Sequence, residues 1–395
     1  MRLRLRRVGL AALLWLALLC GATGDAAAKQ RIAVFDYGSS SLKVGIFDGK
    51  GRLIAQRKYG TALGKGLGAD KLLPKTNRDH ALMGVDKALA FVATYGVKAQ
   101  DISFIATAAT RNAKGRLSAA QRGAGLLGGR THVRLDIQGA RGITDAKVLT
   151  GKQEARLGFR GALVGLKKLG ARDEVLVMDF GGNSHQATIG TIKGYRVEGS
   201  TQVGSNPIYD TLFQGRTMTP AELVTAAGEV ARMVPKFPID PARAARVKRT
   251  VIMGSTAKLL AVYTGKNTIT RGKLEKLLTT FAAIPEADRA TFFSTSAKGR
   301  TLTADERDEI GLSELRPGQR FAEKAPAQLL LVLRNLDLHG MTNATDVVEL
   351  ARTDARHAKA MDVLAARKVA KAATATAAAT TKTAKTAKTA AATAP

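Results

Sequence analysis

A chain of 395 residues is long enough for two domains with cores of their own, and its one cysteine excludes a disulfide framework or a thiolate metal site. Lys and Arg number 62 against 32 Asp and Glu. The formal charge of +30 favours a polyanionic partner (polyphosphate, nucleic acid, an anionic glycan or an acidic membrane surface) without choosing among them.

Residues 1–28 begin with Arg2, Arg4, Arg6 and Arg7, run uncharged from Val8 to Gly24 and end in Ala26-Ala27-Ala28. A basic start, a short apolar run and a small-residue exit read as a secretory signal peptide, which places the mature protein in the periplasm or outside the cell. An uncleaved membrane anchor is the alternative, although 17 uncharged residues including three glycines are short for a bilayer span. Cys20 follows Leu18 and Leu19, which does not suit a lipoprotein signal. At the other end, residues 367–395 are rich in Ala, Thr and Lys with no acid and no aromatic, and are expected to be a disordered cationic tail able to bind anions non-specifically. Without residues 1–28 the charge is +27, and without Arg367 and the five lysines after it, +21. The excess therefore belongs to the body of the protein.

Within that body, Ile32–Phe35 and Leu42–Phe47 read as strands joined by Asp36-Tyr37-Gly38-Ser39-Ser40-Ser41. A helix is expected over 79–95, with Asn77 as its cap and Ala81, Leu82, Val85, Leu89 and Val92 on one face. A buried strand follows at Ile102–Thr107, then a helix–strand pair over 117–137 and a helix from Lys152 that carries Glu154. The opening pattern then returns. Glu174–Met178 is an apolar strand, Asp179-Phe180-Gly181-Gly182-Asn183-Ser184 a turn and His185–Ile192 a second strand. Two copies of strand, Asp-x-Gly turn and strand, 143 residues apart, indicate a duplicated α/β domain. The boundary is expected near residue 157, giving halves at 29–157 and 158–366. The second is mostly helical, with a strand at Thr250–Met253 that leads through Gly254-Ser255-Thr256 into a helix over 257–263.

In each turn, glycine admits backbone N–H groups close to a phosphate, serine adds hydroxyl donors, and the aspartate can hold a bridging cation. One such turn is common in any hairpin; two in equivalent places can face each other across a cleft. The ordered series Val34-Phe35-Asp36-Tyr37-Gly38-Ser39-Ser40-Ser41, Ala106-Thr107-Ala108-Ala109-Thr110-Arg111, Thr150-Gly151-Lys152-Gln153-Glu154, Met178-Asp179-Phe180-Gly181-Gly182-Asn183-Ser184 and Met253-Gly254-Ser255-Thr256 resembles the exopolyphosphatase/guanosine pentaphosphate phosphohydrolase family of the actin-like ATPase superfamily.

The resemblance implies an α/β protein of two duplicated actin-like (ribonuclease H-like) domains flanking a cleft, with helical elaboration in the second. It implies Mg²⁺ as cofactor and inorganic polyphosphate or a related polyanion as partner; homodimerisation is left open. By the same resemblance Gly38, Ser39, Ser40 and Ser41 form one phosphate loop and Gly181, Gly182, Asn183 and Ser184 the other. Arg111 clamps phosphate, Glu154 is the catalytic base, and Asp179, with Asp36 and Gln186, holds the metal.

Five departures accompany it: Ser40 stands for Asn, Asn183 for a third Gly, Gln153 for the first acid of a Glu-Glu pair, Gln186 for Glu, and His185 for a small hydroxyl residue. An amide oxygen coordinates a hard cation without bringing charge, so metal affinity falls. Two readings follow: a hydrolase that releases orthophosphate from polyphosphate, and a weak or inactive relative that binds polyphosphate or another polyanion. His185 reads as a polar strand residue.

Overall fold

The computed structural model describes residues 30–64, 72–113, 118–166, 169–234, 243, 246–310, 312 and 322–392; the expected signal segment at 1–28 lies outside them. The first sheet contains β1 (Ile32–Tyr37), β2 (Ser41–Phe47), β3 (Leu53–Gly60), β4 (Ile102–Ala106) and β5 (Asp145–Val148), in the order β3-β2-β1-β4-β5. β1 and β2 form an antiparallel hairpin, and β4 lies parallel to β1 on its other side. Ile32, Ala33, Val34 and Phe35 are all fully buried, as expected of a strand covered on both faces. Helix α1 (Lys75–Ala93) turns Ala81, Val85, Ala88 and Val92 into the core.

The second sheet repeats the plan. Its strands are β6 (Glu174–Phe180), β7 (His185–Thr191), β8 (Gly194–Thr201), β9 (Val247–Met253), β10 (Thr268–Thr270) and β11 (Val347–Leu350), in the order β10-β11-β9-β6-β7-β8. β6 pairs antiparallel with β7 and parallel with β9, as β1 does with β2 and β4. The helices α4 (Gly254–Thr264) and α5 (Ala325–Leu338) are buried on nearly all sides in its core. The short helix α2 (Ala108–Asn112) follows β4, and the helix α3 (Gly151–Gly165) links β5 of the first sheet to β6 of the second.

Several expectations are corrected. Helix α1 begins directly after Pro74, not at 79, so Asn77 lies inside its first turn instead of capping it. Buried Arg78 anchors this extra turn by donating to the Gly125 carbonyl and to Asp136. Residues 117–137 hold no strand among those described: the helices Ala119–Gly123 and Gly129–His132 run into a π-helical stretch, Val133–Gly139. Val133 and Ile137 are buried while Leu135 is half exposed, which is the period of a helix and not of the expected strand. The segment expected to be disordered from 367 is helical as far as Ala392, as part of α6 (Ala355–Ala392). It contains no Gly or Pro and is dominated by alanine, the strongest helix former. Thr374 and Thr376 return their hydroxyls to the carbonyls of Ala370 and Ala372, each at 3.0 Å.

The two halves meet where α3 and α6 cross. Residue 157 falls inside α3, so the chain passes between halves along a continuous helix. A Cβ on Gly161 would overlap the Asp354 carbonyl, so only glycine permits this approach. Ala360 and Leu364 of α6 pack on Ile32, Val34 and Phe47, which returns the C-terminal helix to the first sheet. At its start, fully buried Arg356 donates to Asp354 (2.7 Å), to the Val44 carbonyl (2.8 Å) and to Gln56 (3.0 Å), while Lys258 of α4 donates to Asp354 at 2.9 Å. Asp354 thus joins both sheets. Burial opposes its charge, but Arg356, Lys258 and His357 hold its carboxyl well below the usual range.

Asp354→Ala would strand two buried cations and is expected to cost about 3–5 kcal/mol. Asp86→Ala, which breaks the exposed pair with Arg141, should cost under about 1 kcal/mol. Thermal unfolding followed by circular dichroism compares them, and an unchanged midpoint for Asp354→Ala would contradict this role.

Candidate active site

The two hairpins place their turns on opposite walls of one cleft, a space of about 710 Å³ including its open mouth. Both turns close by the same hydrogen bond, Gly38 N–H to the Ser41 carbonyl and Gly181 N–H to the Ser184 carbonyl, each at 2.9 Å. Asp36 and Asp179 are the penultimate residues of β1 and β6 and face into the cleft. Gly38, Ser39, Ser40 and Ser41 line one wall and Gly181, Gly182, Asn183, Ser184 and Gln186 the other, with Glu154 from α3 between them. The residues expected at the site therefore converge, Arg111 from one layer behind Glu154.

Arg111, on α2, donates through Nη1 to Glu154 Oε2 at 2.7 Å and to the Leu149 carbonyl at 3.1 Å. Among the described residues its Nη2 is buried without a partner. Ser39 Oγ accepts from Ala109 N–H at 3.1 Å, which fixes the first loop against α2. Across the rim, Asn206 donates to Ser40 (3.0 Å) and to Asn183 (2.8 Å), so the two loops are joined at two of the positions where this chain departs from the family pattern.

Negative charge is crowded here. Burial, and after it the like charges of Glu154, Asp36 and Asp354, push the Asp179 carboxyl up to about 7 against the pull of Lys43. Burial also raises Glu154, and Arg111 opposes it. Gly254 keeps room for Asp179: its φ of +83° is a left-handed conformation, and a Cβ there would sit 2.9 Å from Oδ1. Asp36, Asp179 and the oxygen of Gln186 are hard donors that suit a divalent cation, with one carboxylate fewer than the family pattern. Among the described residues no three His, Cys, Asp or Glu form a metal-binding group, in keeping with the amide at 186. Gln186 is the cross-strand partner of Asp179 and directs its N–H donors to Ser184 (3.2 Å) and Ser200 (3.5 Å).

Two other departures resolve differently. Gln153 turns away from the cleft and completes a capping box with Thr150 at the start of α3. His185 is fully buried, stacks on Phe180 and meets the Val203 carbonyl through Nδ1 at 2.6 Å. Burial pushes its pKa down to about 4, so it is a neutral packing residue.

The cations of the site were missed in the sequence. Lys43 donates to Asp36 at 3.3 Å, and although burial works against its charge, Asp36, Asp179 and Asp354 raise its pKa. Lys58 donates to Ser255 at 3.1 Å, and its amine is pushed well below the usual range by burial and by Lys43, Lys258 and Arg356. The available signal was a lone lysine in an apolar run: Lys43 in β2, Lys258 in α4.

The duplicated sheets define an α/β protein of the actin-like fold, with the two facing loops and three partly buried carboxylates lining the cleft between its halves. The model of the Ppx/GppA phosphatase family matches residues 44–302, and the chain belongs to that family. A Ppx/GppA family member from Aquifex aeolicus is similar in structure, with 21% identity, TM-score 0.57, and 85% of this chain and 98% of that chain covered. An exopolyphosphatase from Cytophaga hutchinsonii shows 16% identity and TM-score 0.60 over 85% of this chain and 98% of that one. These likenesses show the fold. No curated protein matches the chain in sequence.

Because the folded state raises the Asp179 pKa from 3.8 to about 7, its contribution to stability is fully present below about pH 4 and is lost as pH rises through 7. Asp179→Asn should therefore be more stable than the parent at pH 8, by on the order of 2 kcal/mol, with the difference vanishing toward pH 4. Thermal unfolding across that range checks it; a variant no more stable than the parent at pH 8 would count against the crowding.

Proposed function

We propose that the protein is an exopolyphosphatase-like hydrolase that releases orthophosphate from the ends of inorganic polyphosphate by Mg²⁺-assisted attack of water. The observation that carries this reading is the buried, unpartnered Nη2 of Arg111 beside a base it already holds in place. A buried donor left open calls for an acceptor, and a terminal phosphate oxygen is one. Export would place the enzyme in the periplasm or outside the cell, where polyphosphate is a fitting substrate.

The two loops hold the terminal phosphate through backbone N–H groups and serine hydroxyls, and Arg111 adds a charged donor. Glu154 accepts a proton from water as the water oxygen bonds to phosphorus. The bond from phosphorus to the bridging oxygen breaks, and the shortened chain leaves with the bonding electrons. Asp36, Asp179 and Gln186 would hold Mg²⁺, which neutralises charge on the phosphate oxygens when bound. Burial raises the Glu154 carboxyl, which strengthens it as a base, and Arg111 opposes the rise. The second reading, polyphosphate binding without turnover, is favoured by Gln186 alone, since Gln153 serves a helix cap.

Orthophosphate release from long-chain polyphosphate should require Mg²⁺ and fall by roughly a hundredfold or more in Glu154→Ala. Gln186→Glu should bind Mg²⁺ more tightly and turn over faster. Tight, salt-sensitive binding by the parent with no release would select the second reading, and the gain of release in Gln186→Glu would identify the lost group. In Arg111→Ala, Glu154 loses the cation that favours its ionised form, so the acidic limb of the rate profile should move to higher pH; a limb that stays in place would contradict the pairing.

A further inference from the structure

Leu149 lines the catalytic cleft on one side and, on the other, a surface groove of about 670 Å³ that is open to solvent. Arg130 and Arg134 form one wall of the groove, and Lys147, Val148 and Gln153 another. Among the described residues no carboxylate lines it, although Lys147 lies 3.6 Å from Asp145 outside. Arg130, Arg134 and Lys147 are all exposed. Among the described residues neither arginine has an ion-pair partner, and the two are four positions apart on one continuous helical segment. Like charges at that spacing destabilise a helix slightly, a cost that an anion bound between them would relieve. Arg134 also lies in the π-helical stretch Val133–Gly139, and such turns are uncommon and gather at functional sites.

We propose that this groove holds the phosphates of a linear polyphosphate chain that follow the terminal one, so that the cleft cuts an end while the groove retains the chain. The proposal rests on the reading of the cleft as a polyphosphate site. Charge complementarity and the shared wall at Leu149 argue for a polyanion continuous with the bound end. No aromatic side chain lines the groove, so nucleobases would find no stacking platform, which favours bare polyphosphate over a nucleic acid.

The full chain is titrated with long-chain polyphosphate and with tripolyphosphate at two salt concentrations, as the parent and as Arg130→Ala/Arg134→Ala, with Lys147→Ala as a second variant. Long-chain affinity should fall about tenfold in the double variant and become less salt-dependent, while tripolyphosphate affinity holds. Both ligands weakening equally, or neither weakening in either variant, would overturn the groove while leaving the cleft reading intact. A parent that binds neither ligand would overturn both. A single-stranded oligonucleotide of matched charge is the competitor: if it displaces the long chain as well as polyphosphate itself does, and loses that ability in the double variant, the groove is a nucleic-acid site and the proposal fails.

Discussion

Three partly buried carboxylates, Asp36, Glu154 and Asp179, share one cleft, and much of the structure can be understood as the means of keeping them there. Placing like charges together away from water raises the energy of the ionised state, which is why Asp179 resists ionisation up to about pH 7. The hairpin geometry imposes the arrangement. Each aspartate is the penultimate residue of a central, largely apolar strand, so the carboxyl is carried to the end of that strand by the burial of its neighbours.

The opposing charge is supplied from behind. Buried Lys58, Lys258 and Arg356 and partly buried Lys43 form a group between the sheets together with Asp354. This group does mechanical as well as electrostatic work. Arg356 grips β2 and β3 of one half, Lys258 belongs to a helix of the other, and both meet Asp354 where α3 and α6 cross. Cleft and hinge are thus one charged assembly, and a change in the charge of the cleft is felt at the junction of the halves.

The duplicated hairpins, their loops and the base helix were legible in the sequence because each is local: an apolar strand, a glycine turn, a capped helix. The buried lysines were less legible, since their partners lie far along the chain; Lys58 meets Ser255 across 197 positions. The π-helical stretch misled because Val133, Leu135 and Ile137 alternate as a strand would, while only packing reveals that Leu135 faces out. The helix of the alanine-rich end was missed for another reason: low complexity suggested disorder, although its residues are strong helix formers. Gln153 and Gln186 looked equivalent as lost acids, and only the cap at Thr150 separates them.

The proposed function rests on one claim, that a terminal phosphate lies between the loops at 38–41 and 181–184, which line one cleft. Phosphorus NMR of polyphosphate titrated with the full chain tests it most directly, because end and interior phosphates have separate resonances. The account predicts that end-group signals shift or broaden first in the parent and that this effect weakens in Arg111→Ala. End groups unaffected while interior phosphates respond would contradict it.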